Sequence, residues 1–263
     1  MPKQDKQQPL INFLMNKFSY SVISIIKHRS DLLHDDNKSS QNLLLIMKDN
    51  FEFKNFYKEL EADKKAHKSF RSTDILIMRQ KEITDSCDIF PIEYLEITDS
   101  EEAIVGKKLA DLVKIKNTNL RLQIESNIRR NSILLKNAFV YNKKDVVSIL
   151  EGSLNNFVVS LKNLLRLHDV PVGRMSARDI LVKTADIIEF DIQLFFLLMR
   201  VMENPKTIKL NKLDIDDIFC SYLAQIDNIA AYVDKLDLSQ KNASVKKAPT
   251  KKPASKKNEK ESK

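Results

Sequence analysis

Three groups of charged side chains have the types and spacing that could do chemistry. Lys27, His28 and Arg29 run together ahead of a polar stretch, a set able to contact a nucleotide phosphate without metal. The same trio also reads as a solvated basic loop at the end of a strand. Arg121, Glu125 and Arg129 follow at i, i+4 and i+8 and so share one face of a helix. There the two arginines either clamp an anionic ligand bidentately or close an intrahelical salt-bridge ladder with an ion pair between domains. The third group is C-terminal. From Lys241 to Lys263 nine lysines face only Glu259 and Glu261, so +7 of the net +8 sits there and the other 240 residues carry +1. Lys246, Lys247, Lys251, Lys252, Lys256 and Lys257 lie in pairs among Ala, Pro and Ser, a composition that cannot bury enough apolar surface to fold. Lysines at this density condense on a polyphosphate and release counterions, which makes nucleic acid the expected partner of a disordered tail. The competing reading is a solubilising tail with no dedicated partner.

Other chemistries are poorly served. Only Gly106, Gly152 and Gly173 occur, and none is near another. Phosphate-cradling loops and dinucleotide fingerprints need several glycines within a few residues, because backbone must approach phosphate with positive φ. P-loop ATPases and Rossmann oxidoreductases are therefore excluded, and no cofactor is implied. His28, His34, His67 and His168 show no spacing that gathers metal ligands, so no metal site is expected. Cys87 and Cys220 lie far apart and read as reduced, mostly buried thiols of a cytoplasmic protein. No apolar run approaches the roughly 18 residues of a membrane span; the longest, Ile192 to Met202, is interrupted by Gln193 and Arg200. The polar N-terminus, Met1 to Gln8, lacks a small-residue cleavage site, so no signal peptide is expected.

The elements that must position these groups fall into two kinds. Leu10 to Phe18 predicts a short helix, and Tyr20 to Ile26, β-branched and apolar, predicts a strand. Leu43 to Met47 is a continuous apolar run between polar segments, the pattern of a buried central strand. Phe53 to His67 has helical spacing, Asp74 to Met78 and Phe90 to Ile97 predict two further strands, and Gln80 to Cys87 a helix between them. After Gly106 everything is helical: Leu120 to Tyr141, Val146 to Leu167, a helix capped by Ser176 and ending near Phe190, then Asp191 to Glu203 and Asp214 to Leu236. Phe195, Phe196, Leu198 and Met199 are expected in the core. The fold class is α+β: a small α/β domain over 1–112, a helical bundle over 113–238 and a disordered tail over 239–263.

Three segments carry a resemblance. "SSQNLLLIMKD", "EITDSCDIFPIEYLEI" (Glu82 to Ile97) and "NLRLQIESNIRR" (Asn119 to Arg130) resemble the nucleotidyltransferase superfamily, in a bacterial branch with a helical C-terminal half. The likeness covers about residues 10 to 170. It implies a second strand opening on an Asp-x-Asp pair, after a turn containing Gly-Ser. Carboxylates of that kind hold two Mg²⁺ ions across a triphosphate. Here Ser40 and Asn42 stand at the two aspartate positions, and neither is an anionic oxygen ligand. The turn holds Lys27, His28, Arg29 and Ser30, with Ser30 or Ser24 standing in for the serine. Glu93, on the expected third strand, takes the third carboxylate position. Asp31, Asp35 and Asp36 offer loop carboxylates for one metal ion, or simply a solvated turn. The resemblance thus implies a degenerate active site that binds nucleotide, nucleic acid or a protein partner without catalysis. The alternatives are an active Mg-dependent enzyme with an unusual ligand set, and a scaffold.

Overall fold

The computed structural model describes residues 6–29, 41–141, 146–173, 175–203 and 212–237. Its first half is a four-stranded mixed sheet between two helical layers. β1 (Val22–Arg29) and β2 (Gln41–Met47) pair antiparallel, with Ile26 opposite Leu44 and His28 opposite Asn42. β3 (Ile75–Arg79) joins β2 in parallel, and β4 (Glu102–Val105) joins β1 antiparallel, giving the order β3-β2-β1-β4. A parallel neighbour requires a crossover, and α2 (Phe53–Ala62) with α3 (Lys64–Arg71) supplies it. These two lie with α1 (Gln8–Lys17) over one face of the sheet, where Phe56 meets the rings of Phe13, Phe18 and Phe70 above Leu43, Leu45 and Met47.

The other face belongs to a different core. Ile26, Leu44 and Ile46 pack with α4 (Gln80–Asp85) and α5 (Pro91–Ser100), and this cluster runs without a break into the helices that follow. These are α6 (Asn117–Tyr141), α7 (Val146–Leu167), α8 (Ala177–Ala185), α9 (Ile192–Glu203) and α10 (Lys212–Asp234). Fully burying each Leu, Ile or Phe is worth roughly 1.5–3 kcal/mol, so this shared apolar layer is what ties sheet to bundle.

Four expectations are corrected. Phe90 to Ile97 is not a strand but most of α5: Pro91 occupies the first turn, where a missing N–H is free of cost, and Glu93 adds an acid to the positive helix end. Its short alternation of apolar residues imitated a strand, while the actual fourth strand, β4, is only four residues long. The segment Phe53 to His67 is two helices, because Asp63 takes an extended ψ of 95° and its carboxylate accepts the Lys65 and Ala66 N–H groups at 3.0 Å. α8 stops at Ala185, five residues before Phe190. Cys220 is exposed, although Cys87 is buried and donates to the Ile83 carbonyl. The Ser176 cap is present, its hydroxyl accepting from Asp179 N at 3.2 Å.

Gly106 closes β4 against β1. Its φ is +78°, and a Cβ there would lie 1.9 Å from the Ile23 carbonyl oxygen. Only glycine permits that approach. The next residue, Lys107, donates its N–H to the buried Ser24 hydroxyl at 2.9 Å.

Candidate functional site

The strands bring three polar residues into a row at one end of the sheet. Side chains alternate along a strand, so His28 shares the bundle-side face with Ile26, and Asn42 shares it with Leu44. Asp74 precedes β3 beside Asn42, its carbonyl accepting from Leu43 N at 2.9 Å. Asn42 is buried, and Asp74 is exposed. Burial holds the His28 imidazole below its ordinary pKa, with the Asp74 carboxylate and an Arg29 backbone hydrogen bond opposing the shift. Asp74 went unnoticed in the sequence, because only its register against β2 brings it to this row.

The sign of the His28 effect follows from that shift. A histidine whose folded pKa is lowered is protonated first in the unfolded chain. Its contribution to stability is full above the unfolded value, about 6.5, and falls as pH drops below it. His28→Asn is expected to lose less stability than the parent between pH 7.5 and 5.5, read as urea midpoints. Equal acid losses in the two proteins would show that His28 is not the titrating group.

Lys27, His28 and Arg29 are not the expected loop after the strand but the last three residues of β1, where Lys27 and Arg29 alternate to the face opposite His28 and Lys27 pairs in register with Leu43. Arg29 is exposed, and its main chain is fixed at both ends by Ser100: the Arg29 N–H donates to Oγ at 3.0 Å, and Oγ donates to the Arg29 carbonyl at 3.1 Å. Ser40 and the preceding loop lie outside the described residues, as does the tail with Lys246, Lys247, Lys251, Lys252, Lys256 and Lys257. Glu93 sits on α5, exposed, and accepts from Gln123 Nε2 of α6 at 2.6 Å; Gln123 Oε1 in turn accepts the Ile92 N–H at 2.7 Å. That side chain fastens the start of α5 to the bundle.

Arg121 and Arg129 share Glu125, which lies 3.2 Å from the first and 2.8 Å from the second. Arg121 also donates to the Val233 and Asp234 carbonyls at the end of α10, at 3.1 and 3.3 Å, and Arg129 comes within 3.8 Å of the Asp234 carboxylate. The ladder therefore joins α6 to α10, and a guanidinium serves as the C-terminal cap of α10.

A denser charged group was missed by sequence reasoning. Glu96 and Asp99 on α5 face Lys162, Asn163 and Arg166 on α7. Lys162 Nζ lies 2.7 Å from Glu96 and 2.5 Å from Asp99, and its side chain is only 2% exposed. Asn163 donates to Glu96 at 3.0 Å, and Arg166 pairs with Asp99. Two acids and two bases balance, with each carboxylate claimed by two donors. The signal was the i, i+3 pair of acids against the i, i+4 pair of bases, but it is legible only once Glu96 and Asp99 are on a helix.

Among the described residues no group of three or more His, Cys, Asp or Glu side chains is placed to hold a metal ion, and no helix is long and apolar enough to cross a membrane. The chain is α+β by its sheet and helices. No family model matches it, and no curated protein gives a significant match to it.

Proposed function

We propose that this protein is a non-catalytic binding module on a nucleotidyltransferase-like sheet, acting in the cytoplasm on a nucleotide, a nucleic acid or a protein partner. The observation that carries the proposal is Asn42. It stands where the resemblance asks for an anionic ligand, and it is a buried neutral amide opposite His28, an imidazole whose pKa burial lowers. Neutral groups in that position supply none of the negative charge that draws two divalent cations to a triphosphate. The second carboxylate position, Ser40, is neutral by sequence. Glu93, the third position of the resemblance, is engaged by Gln123 on α6, and the row beside Asn42 gains a single carboxylate from Asp74. Nucleic acid enters the proposal through the lysine tail on charge alone.

The full-length protein, given each α-labelled NTP with Mg²⁺ or Mn²⁺, is expected to incorporate no label into itself, RNA or protein. Incorporation that disappears in Asn42→Ala or Glu93→Ala would make the protein an active transferase with an unusual ligand set.

A further inference from the structure

The near-neutral charge of the body conceals a strong local imbalance. α3 carries Lys64, Lys65, Lys68 and Arg71 and no acid, and its buried positions, Ala66 and Ser69, turn the four cations outward. No acid among the described residues pairs with any of the four. Lys64, Lys68 and Arg71 fall at i, i+4 and i+7, which aligns three positive heads along one side over about 10 Å of helix. They line a groove of about 420 Å³ with His67 and Ser72. Glu61 is the one acid lining the groove, a turn from Tyr57 on α2, and Asp63 is occupied with capping α3.

Beside the cations lies a second, independent feature. Phe53 and Tyr57, one turn apart on α2, are 58% and 46% exposed and stack with centroids 6.4 Å apart and planes 19° from parallel. Each ring keeps about half its surface open to solvent, with Phe53 also touching the buried Phe56 at 6.1 Å. Phe53 and Tyr57 precede the groove-lining Glu61 by two turns and one turn on the same face of α2, which sets the rings beside the basic groove.

We propose that the α2–α3 layer is a docking surface for a single-stranded nucleic acid. Lys64, Lys68 and Arg71 hold consecutive phosphates, and Phe53 and Tyr57 stack on unpaired bases. The charge complementarity selects a polyanion, and the rings select its form. A duplex hides its base faces inside the stack, whereas a single strand presents them to aromatic side chains. A membrane surface is the less favoured polyanion, because apart from Phe53 and Tyr57 the two helices expose no large apolar side chain to enter it. The proposal deepens the binding reading above, yet rests on the helical layer across the sheet from the face that carries Asn42. Failure here would leave the absence of nucleotidyl transfer untouched, and the reverse also holds.

The test uses full-length protein and a 5-iodouridine-labelled single-stranded oligonucleotide, with affinity measured by anisotropy at several salt concentrations. Lys64→Ala/Lys68→Ala/Arg71→Ala is expected to flatten the log–log salt slope by about 2, since each phosphate contact on a single strand contributes roughly 0.7. Phe53→Ala/Tyr57→Ala is expected to weaken binding about tenfold with the slope kept, as loss of base stacking does. The three cations are exposed, so their variant is expected to keep the parental thermal midpoint, and the ring variant, which loses the Phe53 contact with Phe56, is assayed well below its own midpoint. Photocrosslinking is expected to mark Phe53 or Tyr57. A triple variant with the parental slope overturns the proposal wherever the crosslink falls, because the tail then holds the strand alone. It is overturned equally if phosphatidylserine vesicles, and not the oligonucleotide, show the dependence on these three cations.

Discussion

Replacing Lys162 by methionine is expected to cost about 3–5 kcal/mol of folding stability, the range for removing one partner from a buried ion pair. Methionine fills the volume of the lysine stem, so the change isolates the charge. Glu96 and Asp99 then face each other across a buried gap with only Arg166 and Asn163 between them. Both carboxylates have side chains less than one-fifth exposed, and water cannot take over what the ammonium supplied. A native protein typically has about 5–15 kcal/mol in total, so the variant lies close to its unfolding threshold at room temperature. Urea denaturation followed by circular dichroism measures the difference directly. A loss under 1 kcal/mol would show that the cluster is solvated and contributes no more than a surface pair.

Truncating Phe195 to alanine is expected to cost a similar amount, about 3–5 kcal/mol, by a different mechanism. This ring is fully buried, stacks on Phe157 at 5.4 Å, and meets Tyr222 and Phe190 edge-on. Removing it opens a cavity among three aromatic neighbours on α7, α10 and the α8–α9 connection. Those rings cannot all collapse inward. The Tyr222 hydroxyl is held by Ser153 at 3.0 Å, and Ser153 by Asn131, so the centre of the bundle is pinned by a polar chain as well as filled by rings. Phe196→Ala is the control. Its ring is half-buried beneath the Arg178 guanidinium, 4.7 Å away, and it is expected to cost less than half as much. Equal losses at the two positions would mean that the aromatic cluster carries no special packing energy.

The two positions also differ in how visible they are before folding. Phe195 sits in an apolar run of helical period and was expected in the core from that alone. Lys162 has the appearance of a polar break in the otherwise apolar face of α7. Nothing local distinguishes it from a solvated lysine, because its partners are more than 60 residues away on a helix that the alternation of Phe90, Ile92 and Tyr94 made resemble a strand.

Much of the fold was settled by period and punctuation within the chain. Val146 to Leu167 begins and ends as α7 does, since apolar spacing of 3.6 persists over six turns and the chain turns at His168. Leu43 to Met47 fell within β2 because five consecutive apolar residues suit a strand covered on both faces. The lysine tail and its charge are matters of composition, and no packing is needed to read them. By contrast, the meeting of α5 with α7 and the capture of Arg121 by the carbonyls of α10 were decided by tertiary structure. So was the outward turn of every cation on α3. A side chain's helical face follows from its neighbours in sequence, but the partner of that face depends on which surfaces meet across the core. Burial then decides whether the same charge is a solvated ornament, a buried clamp or an open docking point.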